Sequence, residues 1–370
     1  MSYNYLKLMS ITSILIVLLA ACKKDDDNSP STPDTPDTIT EYAGSGSAGD
    51  LITFEINQSD NSYSVNNETT GQHEDGTFSV SSSTGLEGIY EVNIGGSDFY
   101  AVELDDRLIA ANFPTGNPEN TISFGVSSAL DNSENTNNIS GDYVFIVMDG
   151  NGIMNDPSIK EWGILTVKDN NTWLRQSYAS NTGDGSIPEL SPESYAGQLP
   201  LATGDGNGTW TVNGTHKERL DVTVDGQAGM LSGYVYADAN EAAFLLDLGT
   251  GNGFMIALKI TNNATFSSIA GDYKFVNVWD NGFGAGNYSI NTSGEVNWVH
   301  QGSDGPSSGT FQLTQCTNVF GNIFYAPNVQ LEPTYFEKLY CLIVGDIILQ
   351  FGFDNSNGDF AQYGIGARID

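Results

Sequence analysis

The stretch Ile139-Ser140-Gly141-Asp142-Tyr143-Val144-Phe145 decides the fold, because it returns almost unchanged further along the chain. Ile269-Ala270-Gly271-Asp272-Tyr273-Lys274-Phe275 matches it at five of seven positions, 130 residues later. Self-similarity at a fixed spacing indicates a structural unit that is used more than once. The sequence therefore predicts a repeated module in which each of these two copies opens with a Gly-Asp-Tyr strand.

A second signal occurs three times and extends the repeat over the whole chain. Its copies are Gly76-Thr77-Phe78, Gly208-Thr209-Trp210 and Gly309-Thr310-Phe311. Each copy is followed, 46 to 54 residues later, by an apolar closing strand at 122–126, 254–258 or 363–367. We expect three modules, at 41–138, 139–262 and 263–370. In the first module the Gly-Asp-Tyr signature is lost, and Gly49-Asp50 is the start that we expect in its place.

Within a module, apolar and polar residues alternate. Ile52, Phe54 and Ile56 alternate with Thr53 and Glu55, and clusters of Asn, Asp, Gly and Ser separate such runs. This pattern is typical of strands joined by turns, and no stretch after the first forty residues has a helical apolar period with caps. The predicted fold class is all-β.

The third module contains eight candidate strands, which favour a barrel. They are 273–279, 287–291, 295–301, 309–314, 323–332, 337–344, 346–353 and 363–369. Short connections favour antiparallel meanders, and an eight-stranded meander removes its edges by closing into a barrel. Two-sheet sandwiches are the alternative. The opening Gly-Asp-Tyr strand loosely resembles the Gly-x-Trp strand of lipocalins, which implies a calycin-like barrel with a filled or ligand-holding interior.

The charge of the chain excludes several partners. It carries 46 acidic against 13 basic side chains, a formal net charge of −33. Such a surface repels phosphate, so we expect no nucleic-acid partner. Binding to a membrane through a polybasic face is excluded for the same reason.

The first forty residues indicate export and anchoring. Residues 1–21 have one cation, an apolar run and small residues, the layout of a secretory signal peptide. Leu19-Ala20-Ala21-Cys22 resembles a bacterial lipobox, which implies acylation of Cys22, with palmitate among the attached chains, and an outer-membrane lipid as a partner. A secreted protein with a Cys22 that carries no lipid is the alternative.

The segment that follows Cys22 predicts where the protein lies. Residues 22–40 combine Lys23-Lys24-Asp25-Asp26-Asp27 with a tract rich in Pro, Ser, Thr and Asp, which predicts a solvated, extended tether. A Cys followed by an acidic tract resembles the export signal of surface lipoproteins of the Bacteroidota. The resemblance implies a position on the cell surface, and the periplasmic face of the outer membrane is the alternative.

A pair of cysteines and two oxygen-rich turns are candidates for a disulfide and for calcium sites. Cys316 and Cys341 lie in apolar, strand-like runs and form either a disulfide or two buried thiols. No cofactor is expected. Calcium is the exception, because residues 149–156 and 354–359 place several oxygen ligands in turns. Neither run follows the twelve-residue calcium loop, and ordinary hairpin turns explain both.

Aromatic residues near turns are the candidate ligand-binding residues. Catalytic motifs of the Gly-x-Ser-x-Gly, His-Glu-x-x-His and Cys-x-x-Cys kinds are missing, as is a phosphate loop. Trp173, Trp279, Asp280, Trp298 and His300 combine rings that stack on a sugar face with groups that bond its hydroxyls. Rings that seal the end of a barrel are the alternative reading.

These features together predict a surface-anchored binding or adhesion lipoprotein that recognises a glycan or a small apolar ligand. Binding is expected to map to modules two and three, with module one as a stalk. One alternative is an extracellular, polymer-acting enzyme, a carboxylate-based glycan hydrolase or lyase, for which residues 332–337 supply acidic side chains. The other alternative is a structural spacer.

Overall fold

A computed structural model of the chain describes eighteen segments between residues 39 and 369. They are 39–46, 49–83, 85–104, 107–112, 122–127, 139–149, 158–180, 206–212, 219–225, 229–237, 242–248, 253–260, 264–279, 282–302, 305–315, 322–332, 335–354 and 360–369. Strands dominate them, and no helix in these segments is long and apolar enough to span a membrane.

Barrel 1 is a nine-stranded antiparallel meander whose first and last strands pair, so that the sheet nearly closes on itself. Its strands are β1 (Ile39–Gly46), β2 (Leu51–Asn57), β3 (Ser62–Asn67), β4 (Gln72–Thr77), β5 (Ser79–Val80), β6 (Tyr90–Ile94), β7 (Ser97–Leu104), β8 (Leu108–Ala111) and β9 (Ser123–Ser127). The free edges, β4 and β5, are separated in the chain only by Phe78.

Barrel 2 is fully closed by eight strands in the same up-and-down order. These are β10 (Gly141–Asp149), β11 (Ser158–Val167), β12 (Thr172–Ser180), β13 (Gly206–Val212), β14 (Arg219–Val224), β15 (Met230–Ala237), β16 (Ala242–Asp247) and β17 (Phe254–Lys259). Closure pairs every strand on both sides, which removes exposed edges.

Barrel 3 follows a four-residue helix, α1 (Phe266–Ile269), and repeats the plan of barrel 1. Its strands are β18 (Gly271–Trp279), β19 (Gly282–Ile290), β20 (Glu295–Gly302), β21 (Gly305–Gln312), β22 (Thr314–Gln315), β23 (Ile323–Glu332), β24 (Tyr335–Val344), β25 (Ile347–Asp354) and β26 (Phe360–Arg368). All eight predicted strands are present, the fourth divided at Leu313. The predicted all-β fold of three tandem, barrel-like antiparallel meanders is confirmed.

The start of the first module differs from the expected Gly49-Asp50. Tyr143 and Tyr273 of the signature pair with the residues that directly follow the apolar run of their closing strands, Lys259 and Arg368. Tyr42 pairs in the same way with Ser127. The first copy of the signature is therefore Thr40-Glu41-Tyr42. It keeps the acidic residue and the tyrosine, whose ring fills the interior of each barrel.

The Gly-Thr-aromatic signal marks an aromatic ring lying over a glycine of the next strand. The pairs are Tyr63 over Gly76, Trp173 over Gly208 and Trp298 over Gly309. In each case a Cβ on the glycine would approach the ring to within 2.6–2.8 Å, closer than side chains pack. The glycine is required because no larger residue leaves room for the ring.

In barrel 3 this signal is displaced by two residues along its hairpin. The backbone N–H of Phe78 bonds to the carbonyl of Asn61, and Trp210 bonds in the same way to Asn171. In barrel 3 Leu313, not Phe311, makes this bond, to Gly294. The three acceptor residues all have positive φ, of 55°, 59° and 82°, and mark the same turn. Trp210 therefore corresponds in space to Phe78 and Leu313.

The three barrels share one apolar core. Alternate residues of the closing strands β17 and β26, and of β9 together with the residue before it, point out of their own barrels and into this common core: Ile122, Phe124, Val126, Phe254, Ile256, Leu258, Tyr363, Ile365 and Ala367. Asn112 of barrel 1 also donates to the carbonyl of Gly284 in barrel 3, at 3.1 Å. Barrel 1 is thus packed into the body of the protein, which does not fit the expectation of a separate stalk.

Candidate functional site

One end of the barrel 3 interior is polar, whereas the rest is filled by apolar side chains. We call the cluster Asn277, His300, Glu337, Gln350 and Gln362 the polar end of barrel 3. Glycines of neighbouring strands make room for it, since a Cβ at Gly284, Gly352 or Gly364 would collide with these side chains. The polar side chains therefore occupy the space that these glycines leave by having no side chain.

A directed chain of hydrogen bonds links four members of the cluster. The amide of Asn277 donates to Oε1 of Gln362 at 2.8 Å, so its Oδ1 is free to accept from Nε2 of His300 at 3.0 Å. Gln362 in turn donates to Oε2 of Glu337 at 2.6 Å. All donors point towards Glu337, and this direction places the proton of His300 on Nε2.

Glu337 is the acidic end of this chain and lies in the interior, with 3% of its surface exposed. Burial raises the pKa of its carboxyl to about 7, against the hydrogen bonds from Gln362 and Tyr335, which lower the pKa. The charge of Asp354, directly opposite on β25, adds to the increase. Burial therefore favours the protonated, uncharged form of Glu337.

Gln350 is the fifth member and the least satisfied. Its side chain is fully buried, and neither Nε2 nor Oε1 has a hydrogen-bond partner among the described residues. A buried amide without partners costs free energy, so such a group in a folded protein calls for a water or a ligand. It offers one acceptor and a donor, which is the pattern that a hydroxyl complements.

Two amides of the polar end, those of Asn277 and Gln350, are particular to barrel 3. The register of each closing strand aligns Gln350 with Leu246 of barrel 2 and Ala111 of barrel 1. Asn277 aligns in the same way with Val147 and with Gly46. These two positions hold apolar residues or glycine in barrels 1 and 2 and amides in barrel 3. The barrel fold therefore does not require amides at these positions.

Trp279 stands beside this cluster at the last position of β18. Its ring is half-buried, and its centroid lies 5.4 Å from that of His300 at an interplanar angle of 59°. The ring of Phe275 also stacks with the imidazole of His300, with a centroid distance of 6.4 Å and an interplanar angle of 14°. An indole, an imidazole and amides are thereby brought together at one end of the barrel, a combination that can bind a ring with hydroxyl groups.

The structure brings Trp279 and His300 together, whereas Trp298, two positions before His300 on the same strand, belongs to the apolar part of the barrel 3 interior. Trp298 is 4% exposed in the apolar core, where its ring lies over Gly309. Trp173 belongs to barrel 2, and Asp280 lies outside the described residues. The shared position of Trp173 and Trp298 over a glycine gives both a structural role.

Sequence reasoning missed Asn277, Gln350 and Gln362. A signal for the first was present, because extending the signature alignment by two residues places Asn277 opposite Val147. No comparable alignment of β16 with β25 was available, since the two strands share no motif. Glu337 was noticed only as one of several acidic residues.

Barrel 2 contains an apolar cavity of about 130 Å³. The ring of Trp173 is part of its wall, and Nε1 of this ring donates to the carbonyl of Thr223 at 3.1 Å. The wall also includes Leu165, Val167, Arg175, Trp210, Val222, Val224, Leu231, Gly233, Phe244, Leu245, Leu246, Leu248 and Met255. This space is separate from the polar end of barrel 3.

The structure describes only part of the predicted cysteine pair and of the predicted calcium sites. Cys341 is buried in barrel 3 and is not bridged to any other described residue, and burial raises the pKa of its thiol. Cys316 lies outside the described residues, so a bridge between the two stays a prediction. Most of 149–156 and 354–359 also lies outside them. In the part of the chain that the structure describes, no three His, Cys, Asp or Glu residues come together as metal ligands do.

No protein-family model matches the chain, and neither does any curated protein. Among solved structures, a protein of unknown function from the DUF3598 family of Nostoc punctiforme is 11% identical, with a TM-score of 0.22, over 63% of this chain and 97% of that one. A candidate outer membrane protein of Bacteroides fragilis is 8% identical, with a TM-score of 0.19, over 63% and 99%.

Transferrin binding protein B of Neisseria meningitidis is a third solved structure that the chain resembles. It is 10% identical, with a TM-score of 0.25, over 87% of this chain and 66% of that one. At TM-scores this low, none of the three likenesses indicates a shared ligand or function.

Proposed function

We propose that this chain is a surface-anchored binding lipoprotein whose barrel 3 recognises a glycan. The observation that carries the proposal is the meeting of Trp279 and His300 with a buried amide cluster, in which Asn277 and Gln350 replace the apolar residues or glycine of the other two barrels. Aromatic rings supply apolar contact area for a sugar face, and amides and carboxyls bond its hydroxyls. The fully buried amide of Gln350 adds hydrogen-bonding capacity at the same end of the barrel.

The charges around the cluster favour a neutral sugar. Asp354 faces Glu337 across β24 and β25, and the chain carries a formal charge of −33. An acidic sugar would be repelled by the Asp354 carboxylate and by the negative charge of the chain as a whole. The ligand class that fits is therefore a neutral glycan with free hydroxyl groups.

Anchoring completes the proposal. An acyl chain on Cys22 would hold the protein on the outer membrane, and the acidic, proline-rich residues 22–40 would space the barrels from the lipid. The cell surface is the location that fits binding of an external glycan, and the periplasmic face is the alternative.

Two other functions remain alternatives to glycan binding alone. Glycan hydrolysis would need Glu337 as an acid and Asp354 as its partner, a pair that lies opposite on adjacent strands. Turnover of a polysaccharide by the purified protein, abolished in Glu337→Gln, would favour this enzyme. A structural spacer would bind none of the glycans offered.

The test is retention of the purified, unlipidated chain on a panel of immobilised neutral and acidic glycans. We expect binding to a neutral member, and we expect Trp279→Ala to weaken it by about 1–3 kcal/mol, as the loss of an aromatic anchor does. Asn297→Ala is the matched control, because this residue is exposed on the outer face of β20. No retention on any glycan, or equal retention by the Trp279 variant, would contradict the proposal.

A further inference from the structure

We infer that barrel 2 holds a second binding site, for a small molecule with an apolar body and one hydrogen-bond acceptor, which Nε1 of Trp210 binds. The site lies in barrel 2, separate from the glycan site in barrel 3, and would bind its ligand independently of a glycan. It rests on an apolar cavity inside barrel 2 that is partly open to solvent, and on the buried indole N–H of Trp210, a residue of the cavity wall.

The size of the cavity sets the size of the ligand. Its volume of about 130 Å³ is close to that of an apolar cavity of about 150 Å³ in another protein, which stays dry and takes up benzene. Water gains little in such a space, because it needs two or more polar partners. A single six-membered ring with a short substituent matches the volume.

Trp210 explains why an acceptor is needed. Its side chain lines the cavity and is 3% exposed, and Nε1 finds no hydrogen-bond partner within the segments that the structure describes. The second indole of the wall differs, since Trp173 donates to Thr223. Buried indole N–H groups usually have a partner, so the donor of Trp210 is the group that a ligand would satisfy.

The repeat shows that packing does not require this donor. Phe78 in barrel 1 and Leu313 in barrel 3 occupy the position of Trp210, with the same backbone hydrogen bond to the neighbouring turn. Both are buried and carry no polar side-chain atom. Barrel 2 alone combines an N–H at this position with an apolar cavity beside it, which is the arrangement that a ligand with an acceptor completes.

The other residues of the cavity wall determine the polarity of the rest of the ligand. Except for Arg175, the side chains are apolar or aromatic, so a ligand with several hydroxyl groups would leave buried groups without partners. The class that fits is an aromatic or alicyclic ring that carries one carbonyl or ether oxygen. Sugars are excluded on the same ground, which separates this site from the polar end of barrel 3.

The test compares two probes of similar shape, acetophenone with a carbonyl and isopropylbenzene without one, by calorimetry on the full chain. Both are expected to bind the wild type. Trp210→Phe introduces the residue that barrel 1 has at this position. It is expected to lower the affinity for acetophenone about fivefold, the effect of one neutral hydrogen bond, and to change the affinity for isopropylbenzene by less than about twofold. Thr211→Val is the control, because this neighbour is exposed on the outer face of β13.

Every outcome decides the inference. Absence of binding by both probes to the wild type overturns it, and so does an equal loss for both probes in Trp210→Phe. A thermal unfolding curve and retention on the glycan panel show whether this variant is folded. If Trp210→Phe still binds glycan but no longer prefers acetophenone, the two sites are separate. If the wild type binds acetophenone but no glycan, the proposed glycan function fails and the site in barrel 2 is supported.

Discussion

Gln350 of barrel 3 and Leu246 of barrel 2 occupy the same position in their barrels. Gln350 pairs with Gly364 of the closing strand β26, and Leu246 pairs with the corresponding residue of the closing strand β17, Met255. One side chain is an amide without a described partner, and the other lines an apolar cavity. The two barrels thus have the same frame and opposite interiors.

The first prediction concerns the cost of this amide. Gln350→Leu, the residue of barrel 2, should raise the free energy of unfolding by about 1–3 kcal/mol, because it removes a buried polar group without partners. Urea unfolding of the two proteins measures the change, with exposed Gln72→Leu as the control. The same variant should bind glycan less well. A fall in stability would mean that the amide is satisfied in the folded protein.

The second prediction concerns pH and Glu337. Its pKa is raised from 4.5 in the unfolded chain to about 7 in the fold, so the folded state binds the proton more tightly. This contribution to stability is fully present below pH 4.5 and is lost as pH rises through 7. The slope should approach about 1.4 kcal/mol per pH unit between these values.

Glu337→Gln tests this assignment, since it keeps the shape and cannot ionise. Unfolding midpoints measured from pH 4.5 to 8 should decline less in the variant than in the wild type. Equal pH dependence in both proteins would place the titrating group elsewhere. Asp98→Asn, which removes an exposed carboxyl from barrel 1, serves as the control.

The third prediction concerns the glycine beneath Trp173. Gly208→Ala should destabilise the protein by about 1–3 kcal/mol or more, because the added methyl group would collide with the carbonyl of Thr223 and approach the indole to 2.8 Å. Gly206→Ala on the same strand is the control, since its Cβ would make ordinary contacts at 3.5 Å. Thermal unfolding of both variants distinguishes them, and similar midpoints would contradict the role of the glycine.

The fourth prediction concerns cooperativity. All five Trp residues lie in barrels 2 and 3, whereas Phe124 of barrel 1 lies in the shared core. Phe124→Ala should therefore shift the unfolding transition that Trp fluorescence reports, by about 3–5 kcal/mol for loss of a buried ring. Exposed Val80→Ala in the same barrel should leave it in place. An unchanged Trp transition in Phe124→Ala would mean that barrel 1 unfolds alone.

The fifth prediction concerns anchoring. Cys22→Ala should release the protein from membranes or leave an unprocessed precursor, because each buried methylene of an acyl chain contributes about 0.8 kcal/mol and the acidic chain offers no basic face. Fractionation in high salt checks this outcome. Continued sedimentation of the variant with membranes would show that another group holds it.

The repeat made the fold predictable, because alternation and turn residues are local signals that short-range chemistry determines. The strands of module three and the two Gly-Asp-Tyr starts could be found in this way. The first start was missed because Thr40-Glu41-Tyr42 keeps only the side chains that face inward or carry charge. The two-residue shift to Leu313 was invisible because it depends on which residue bonds to the turn.

The candidate site was only half predictable. Trp279 and His300 were found because rings near turns are conspicuous in sequence. Gln350 and Glu337 join them through pairing of β24, β25 and β26, and such pairing depends on tertiary closure of the barrel. The packing of barrel 1 into the shared core was missed for a related reason, since outward apolar residues look the same whether they face another barrel or their own interior.

The closing strands divide the molecule into parts that differ in their freedom to change. Their outward residues pack against two other copies, so a change of volume in one barrel would disturb all three. The inward residues of the same strands are Ser123 and Gly125, Met255 and Ala257, and Gly364 and Gly366. The outward residues of the closing strands are therefore constrained by all three barrels at once, whereas the side chains of each interior can change without disturbing the other two interiors.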